Sequence, residues 1–259
     1  MLKIKKTPSL FGLGGMALAL FVTSALSAQP DTVMNINLQV LAWDHNIKAV
    51  VAQADADPVA IAANQKRVSG IYKVKTANPL TLYHPAGEGA NLGEPMVSVA
   101  LKPGMRDILL ILSEKQGRCH AALLPFAQKD FPENTATFFN LTSFPVFAQI
   151  DGQRQTIKAK ARHQVPYKYA YAEKESLRTK FAVERDGRMR LVQNSTVPLM
   201  NDGRVLFFIS ETENDPNRKS RYPVTFTYAY DVMPDPNRAA SDQTIEEIDA
   251  QIDEMLSAP

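Results

Sequence analysis

The sequence predicts an all-β protein with a single short helix at its C-terminal end. Between residues 34 and 235, segments of alternating apolar and polar residues follow one another, with Pro, Gly, Asn and Asp between them. No segment of any length in this region has the period of a helix. The second half of the chain also repeats the pattern of the first half. These three observations together favour tandem β-rich units.

The first half contains two clear strand patterns and several shorter ones. Residues 34–42 alternate, and Ile36, Leu38 and Val40 fall on one face. Residues 107–114, DILLILSE, are apolar almost without interruption, which is typical of a central strand that is covered on both faces. Further strands are predicted at 69–76, 79–85, 95–104 and 118–126.

The second half follows the same plan. Asp151-Gly152 and Asp186-Gly187 are dipeptides that favour two-residue hairpin turns. Strands are predicted at 135–142, 144–150, 155–161, 165–173, 177–184, 188–194, 204–211 and 222–232.

The repeat is visible when the halves are aligned. Residues 102–114 align with residues 198–211, with an offset of 97 at the shared Ser-Glu dipeptide. Upstream, residues 34–55 align with residues 135–152, and in both segments a strand leads to a polar kink and a second strand. A period of about 100 residues is the size of one immunoglobulin-like β-sandwich. The sequence therefore predicts two such units in tandem.

The N-terminus has the features of a secretory signal peptide, assigned to residues 1–28. Three lysines lie within the first six residues, an apolar segment follows over residues 10–26, and small residues come next. Cleavage is predicted after Ala28, with Ser27 as the alternative. An uncleaved membrane anchor is the competing interpretation. Export of a bacterial protein to the periplasm or the exterior is expected, with no membrane span after cleavage.

The mature chain is divided into unit 1 at residues 29–128, unit 2 at 129–235, and a linker with an acidic amphipathic helix at 236–259. Apolar residues in this last segment recur with helical spacing. They form a stripe of Ile245, Ile248, Ile252, Met255 and Leu256. Two interpretations stay open: the helix docks on its own basic body or frays, or it binds a partner protein through this stripe.

Charge and cysteine content exclude several classes of protein. The formal net charge is +2, without the concentrated basic stripe of a nucleic-acid-binding protein, so no nucleic acid is expected as a partner. Cys119 is the only cysteine, so no internal disulfide is possible. Its neighbours resemble a strand that enters a core, which predicts a buried and unreactive thiol.

No catalytic or metal-binding motif is present. The four histidines are 36 to 43 residues apart along the chain, unlike the close ligand pairs of a zinc site. The chain has no nucleophile elbow, phosphate-binding loop or dinucleotide-binding glycine motif. We therefore predict a non-catalytic protein without cofactor or metal. A hydrolase with a site between the two units, near His163 or His45, is an alternative.

Two groups of acidic residues are candidate calcium ligands. Asp55 and Asp57 form a pair, and Glu211, Glu213 and Asp215 form a cluster. Carboxylate oxygens suit Ca²⁺, but neither group completes a calcium-loop pattern. Solvated hairpin loops are therefore the preferred interpretation of both groups.

Rows of aromatic residues suggest a binding face. Tyr167, Tyr169 and Tyr171 alternate along one predicted strand and form a candidate face for a glycan or a partner protein. Phe226, Tyr228 and Tyr230 form a similar row. The alternative is that both rows line the core with their hydroxyl groups at its margin. Trp43, the only tryptophan, is interpreted in the same way as a core residue.

Two Asn-x-Ser/Thr patterns start at Asn140 and Asn194. Both fall at strand ends or turns, and we interpret them as incidental matches to the glycosylation pattern. In this interpretation Asn140 belongs to the opening strands of the second unit, where Phe138 faces the core and Pro145 starts the next strand.

A family resemblance rests on three segments: residues 38–50, LQVLAWDHNIKAV, residues 108–114, ILLILSE, and residues 138–152, FFNLTSFPVFAQIDG. With these segments the chain resembles a group of exported bacterial tandem β-sandwich proteins of unknown function. The resemblance implies a fold and a compartment but no activity. The expected function is binding or envelope assembly through β-sandwich surfaces, with an unknown envelope protein or glycan as partner. A carbohydrate-binding module is the alternative.

Overall fold

The structure is a computed structural model that describes residues 33–87, 89–167, 176–200, 203–211 and 224–232. These residues form sixteen β-strands, and the only helical element among them is a 3₁₀ turn, Gln128–Asp130. The predicted all-β class is therefore confirmed. The predicted signal peptide at 1–28 and the predicted linker and helix at 236–259 lie outside the described residues.

Eight strands belong to the first half of the chain. They are β1 (Met34–Ala42), β2 (Ile47–Gln53), β3 (Ala56–Ala63), β4 (Tyr72–Thr76), β5 (Leu80–Pro85), β6 (Leu92–Val99), β7 (Asp107–Lys115) and β8 (Arg118–Pro125). The other eight belong to the second half. They are β9 (Thr135–Asn140), β10 (Val146–Ile150), β11 (Gln153–Ile157), β12 (Ala161–Pro166), β13 (Ser176–Arg185), β14 (Arg188–Pro198), β15 (Gly203–Glu211) and β16 (Val224–Val232).

The two halves have the same strand order. We number the sheets so that sheet 1 is β3-β2-β5-β6, sheet 2 is β4-β1-β7-β8, sheet 3 is β12-β9-β15-β16 and sheet 4 is β11-β10-β13-β14. Adding eight to every strand of sheets 1 and 2 gives sheets 4 and 3. The parallel pair β1 and β7 corresponds to the parallel pair β9 and β15. The predicted repeat is therefore present in the order of the strands.

Three hydrophobic cores alternate with the four sheets. The core between sheets 1 and 2 contains Leu38 and Leu82, among others. The core between sheets 3 and 4 contains Phe138 and Phe181, whose ring centroids are 5.9 Å apart. A third core joins residues of sheets 2 and 3. The sheets consequently stack in the order 1, 2, 3, 4.

Strand β7 explains how two cores share one sheet. Ile108, Leu110 and Leu112 point into the core between sheets 1 and 2, while Leu109 and Ile111 point into the core between sheets 2 and 3. Side chains alternate along a strand, so an uninterrupted apolar sequence is needed to supply both faces. The predicted central strand with two covered faces is confirmed.

Strand β15 repeats this alternation in the second half. Phe207 points toward sheet 4, and Leu206 and Phe208 point toward sheet 2. Leu206 and Phe208 lie 97 positions after Leu109 and Ile111. The halves therefore meet through corresponding positions of corresponding strands.

Both predicted Asp-Gly hairpins are present. The φ angles are 46° at Asp151 and 83° at Gly152, and 54° at Asp186 and 69° at Gly187. Two successive residues with positive φ are what a type I′ turn requires. These turns connect β10 to β11 and β13 to β14 as antiparallel pairs.

Two strands differ most from the sequence prediction, and others, such as β6 and β11, differ in where they begin and end. Strand β3 is not predicted, because its alanines, Asp57 and Pro58 have low strand propensity; it forms by pairing with β2. The strand predicted at 165–173 begins earlier, because β12, Ala161–Pro166, pairs with β9 from Ala161 onward. Residues 168–175 lie outside the described residues.

Candidate functional site

The outer face of sheet 4 is the best candidate for a contact surface. Along β13, Phe181 and Val183 are buried in the core, so Lys180, Ala182 and Glu184 point to the opposite side. We call this surface the sheet 4 face. It is defined by Phe147, Arg154, Thr156, Arg178, Lys180, Ala182, Glu184, Met189 and Leu191.

A mainly apolar row crosses the four strands of this face. The registers make Thr156, Phe147, Ala182 and Leu191 successive cross-strand neighbours. Leu191 is 54% exposed, and Met189 on the same side of β14 is 51% exposed. Grouped exposed apolar side chains on a folded protein are typical of interaction sites, whereas single ones need no explanation.

Basic side chains border the row. Arg154, Arg178 and Lys180 are exposed on the same side of the sheet. Glu184, opposite Met189, is the acidic residue of the face. The sheet 4 face is therefore apolar in the middle with an excess of positive charge around it, which complements an acidic amphipathic ligand.

A β-bulge in the pairing of β13 with β14 directs Leu191 outward. Phe181 pairs with Gln193, but the next residue, Ala182, pairs with Leu191, so Val192 is inserted between them. Val192 packs against the core between sheets 3 and 4. Without the inserted residue the register would turn Leu191 inward and Val192 outward. Sequence analysis missed this face, and the adjacent Leu191-Val192 pair, which breaks the alternation, was the available signal.

Tyr167 contributes to the core of the second half. Its ring packs against the core between sheets 3 and 4, and its hydroxyl donates to the carbonyl oxygens of Met200 and Gly203, both at 3.1 Å. Burial raises the pKa of Tyr167 to about 12, although the hydrogen bond to Met200 acts in the opposite direction. Tyr169 and Tyr171, the other members of the candidate face, lie outside the described residues.

The second aromatic row also points toward this core. Tyr230 is buried, and its hydroxyl donates to the carbonyl oxygen of Pro198 at 3.0 Å. Phe226 stacks on Phe181 with 4.6 Å between ring centroids, and Tyr228 is partly buried against the same core. Burial raises the pKa of both Tyr228 and Tyr230. This row therefore lines the core and places its hydroxyl groups at the margin.

Trp43 lies between the two halves. Its ring makes an edge contact with Phe208, with ring centroids 5.6 Å apart, and it packs against the core between sheets 2 and 3. Trp43 follows β1 directly, so a side chain of the first half packs against Phe208 of the second half. Its role is packing, as the sequence analysis preferred.

Some of the side chains that could take part in catalysis contact one another. The Nε2 atom of His45 lies 3.2 Å from the Oε2 atom of Glu114, and both side chains are about half exposed. Burial, followed by the charge of Glu114, raises the pKa of Cys119, which disfavours the reactive thiolate. His163 lies on β12 opposite Phe138 of β9. The hydrolase hypothesis remains a prediction.

The two acidic groups have separate partners. Asp55 accepts a hydrogen bond from Lys75 at 3.1 Å. Glu211 accepts one from the backbone N–H of Ser143 at 2.5 Å, and hydrogen bonding to Ser143 lowers the pKa of Glu211. Glu213 and Asp215 lie outside the described residues. Within the part of the chain that the structure describes, no group of three His, Cys, Asp or Glu side chains is arranged to hold a metal ion.

Asn140 is a buried structural residue. Its Nδ2 atom donates to the carbonyl oxygens of Phe144, Ile157 and Lys158 at 2.9 to 3.0 Å. Its Oδ1 atom accepts from the N–H and the hydroxyl of Thr142. The side chain therefore fixes the loop after β9 to the end of β11. In contrast, Asn194 on β14 is exposed.

A buried ion pair lies on the side of sheet 3 that meets the first half. The Nη2 atom of Arg204 is 2.5 Å from the Oδ2 atom of Asp231, and both residues are almost fully buried. Arg204 also donates to the carbonyl oxygen of Phe131, and Gln39 of β1 donates to Asp231 at 3.3 Å. Burial raises the pKa of Asp231, while Arg204 and Gln39 act against that rise.

The connection between β3 and β4 adds backbone hydrogen bonds across the same boundary. The N–H of Val68 donates to the carbonyl oxygen of Tyr230, and the N–H of Tyr230 donates to the carbonyl oxygen of Lys66, both at 2.8 Å. Backbone hydrogen bonds, the hydrogen bond from Gln39 to Asp231 and a continuous hydrophobic core therefore hold the two halves together.

No protein-family model and no curated protein matches the chain. Within the described ranges, no helix has both the length and the apolar character that crossing a membrane requires.

Proposed function

We propose that this chain is an exported, non-catalytic protein that acts in binding or envelope assembly through β-sandwich surfaces. In this proposal the two halves are immunoglobulin-like sandwiches, formed by sheets 1 and 2 and by sheets 3 and 4. Separate hydrophobic cores within each sheet pair support this division. The signal-like N-terminus supports a location in the periplasm or outside the cell.

The observation that carries the proposal is the exposure of Leu191 and Met189 on a basic sheet face. Each leaves about half of an apolar side chain in water, and the bulge at Val192 maintains this orientation. Burying these side chains against a partner would gain about 25 cal/mol for each Å² of apolar area. A rigid sheet also keeps the contact residues in place, which lowers the entropic cost of binding.

Affinity capture from the native envelope tests the proposal. The baits are the mature chain, residues 29–259, and the chain cut after residue 240. Each is compared with a Met189→Lys/Leu191→Lys double variant, which introduces charge at the centre of the sheet 4 face. Ile71→Lys is the matched control, because Ile71 is 56% exposed just before β4.

The proposal expects an envelope component that both the wild-type chain and the Ile71→Lys variant retain and that the double variant loses. Equal retention by all three proteins would show that the contact surface lies outside the sheet 4 face. A failure of both baits to retain any envelope protein or glycan would contradict the proposed function itself.

A further inference from the structure

We propose that the acidic C-terminal segment, residues 241–259, folds as an amphipathic helix and docks across the sheet 4 face of its own chain. This inference rests on the proposed function, because it assigns an occupant to the same contact surface. The segment has the two properties that the face requires, an apolar stripe and negative charge on the rest of its surface.

The apolar surfaces agree in length. In a helix, the stripe from Ile245 to Leu256 extends about 17 Å at a rise of 1.5 Å per residue. On the sheet, the row from Thr156 to Leu191 spans four strands, or about 14 Å at a strand spacing of 4.8 Å. A helix that crosses the strands at this level therefore covers Phe147 and Leu191 together. Packing a helix on an open sheet face is also a common way to bury the apolar side of both.

The charges are complementary. The segment carries six acidic residues and no basic one: Asp242, Glu246, Glu247, Asp249, Asp253 and Glu254. The sheet 4 face offers Arg154, Arg178 and Lys180 around its apolar row. Side chains of opposite charge at the border of a contact steer association and fix its orientation.

The chain has the length to reach the face. Strand β16 ends at Val232, and Tyr230 is hydrogen-bonded to Pro198 at the end of β14. From Pro198 to Leu191 the strand extends about 23 Å at 3.3 Å per residue. The twelve residues before Ile245 span up to about 40 Å when extended. The tether is therefore longer than the path along β14.

Docking of this segment would shield the contact surface in the free protein. Leu191 and Met189 would be covered by the stripe. Because the segment is tethered, its effective concentration at the face is high, on the order of millimolar. The free protein would thereby be protected from non-specific association through its exposed apolar side chains.

Zero-length carbodiimide cross-linking of the full mature chain tests the proposal. Lys180 is the lysine of the sheet 4 face, and the reagent joins a lysine amine to a carboxylate only when the two are in contact. We expect monomeric protein to contain a bond between Lys180 and an acidic residue of 241–259, identified by peptide mass spectrometry. A mixture of isotope-labelled and unlabelled chains distinguishes bonds within one chain from bonds between two.

Two matched variants test the role of the stripe. Ile248→Asn places an amide in the stripe, and Ala250→Asn places the same amide on the opposite side of the helix. We expect Ile248→Asn to lower the yield of the Lys180 bond on the order of tenfold, the change for about 1.4 kcal/mol, and Ala250→Asn to leave it unchanged.

Three results would overturn the proposal. They are the absence of any bond between Lys180 and the segment, equal yields in both variants, and bonds found only between labelled and unlabelled chains. The last result would assign a second copy as the occupant. None of these results would contradict the proposed function, because the chain cut after residue 240 tests the sheet 4 face without the segment.

Discussion

Glu114 and Glu211 hold the same position in the two halves, and each accepts a hydrogen bond from the loop that follows the first strand of its half. Glu114 ends the apolar segment of β7 and accepts from the ring of His45, with 3.2 Å between the atoms. Glu211 ends β15 and accepts from the backbone N–H of Ser143. His45 and Ser143 are each the third residue after their strand, β1 or β9.

The same contact is therefore made in two chemical ways. In the first half it depends on a titratable side chain, His45, whereas in the second half it depends on the backbone of Ser143. The repeat preserves the position of the carboxylate and the loop that it holds but not the donor. The carboxylates can be compared directly by mutation.

The first prediction concerns the pH dependence that Glu211 contributes. Hydrogen bonding to Ser143 lowers the pKa of Glu211 in the folded chain below its ordinary value of 4.5. The stabilisation is thus present above that ordinary value and is lost as the pH falls through the lower folded-state pKa. Glu211→Gln should be less stable than the wild type at about pH 7, and the difference should shrink toward pH 3.

Urea unfolding at several pH values measures this effect. Glu184→Gln, which removes an exposed carboxylate from the sheet 4 face, serves as the control for the loss of one negative charge. A difference between Glu211→Gln and the wild type that stays constant from neutral to acidic pH would contradict the assignment.

The second prediction compares the two Asn-x-Ser/Thr patterns. Asn140→Ala should destabilise the fold by at least about 2 kcal/mol, because it leaves buried carbonyl groups and the N–H of Thr142 without their partners. Asn194→Ala changes an exposed residue and should alter stability by less than about 0.5 kcal/mol. Chemical denaturation of both variants gives the comparison. Equal effects would mean that the hydrogen bonds of Asn140 contribute no more than a surface side chain.

Several features of the fold follow from local sequence patterns. The apolar sequence of β7 predicts a strand covered on both faces, because neither face can tolerate unpaired polar groups. Asp151-Gly152 and Asp186-Gly187 predict their hairpins, because few residue pairs accept two positive φ angles. The shared Ser-Glu dipeptide at Glu114 and Glu211 locates the repeat. In each case the physical cause lies within a few residues.

Features that depend on distant partners are not predictable in this way. Arg204 has the sequence context of an ordinary strand residue, yet it is buried against Asp231, which lies on the neighbouring strand of sheet 3. The outward position of Leu191 depends on a bulge whose place is set by the pairing of β13 with β14. Tyr167 continues the hydrogen bonding of β12, and its ring lies on the core side of the sheet. The alternating sequence alone did not decide whether this ring would face the core or the solvent.

The third prediction concerns the buried phenol groups. Burial raises the pKa of Tyr167 to about 12 and also raises the pKa of Tyr230. The neutral phenols therefore stabilise the fold below about pH 10, the value of an unfolded tyrosine, and this contribution is lost as the pH rises further. Tyrosine titration by phenolate absorbance should show a late phase, which Tyr167→Phe and Tyr230→Phe should each reduce.

The structure also predicts that these variants lose stability at neutral pH. Tyr230→Phe removes the hydrogen bond to Pro198 and should destabilise the chain by about 0.5–1.5 kcal/mol. Ionisation of all tyrosines in one step near the ordinary value, while circular dichroism still shows the native fold, would contradict this assignment.

The last prediction concerns the buried ion pair of sheet 3, on the side that faces the first half. Arg204→Met and Asp231→Leu should each destabilise the chain by about 3–5 kcal/mol, because each leaves a buried charge without its partner. The double variant should be much more stable than the sum of the two losses implies, since it removes both charges. Lys75→Met removes the exposed pair with Asp55 and should cost less than about 1 kcal/mol. Additive losses in the double variant, measured by urea unfolding, would show that Arg204 and Asp231 act independently.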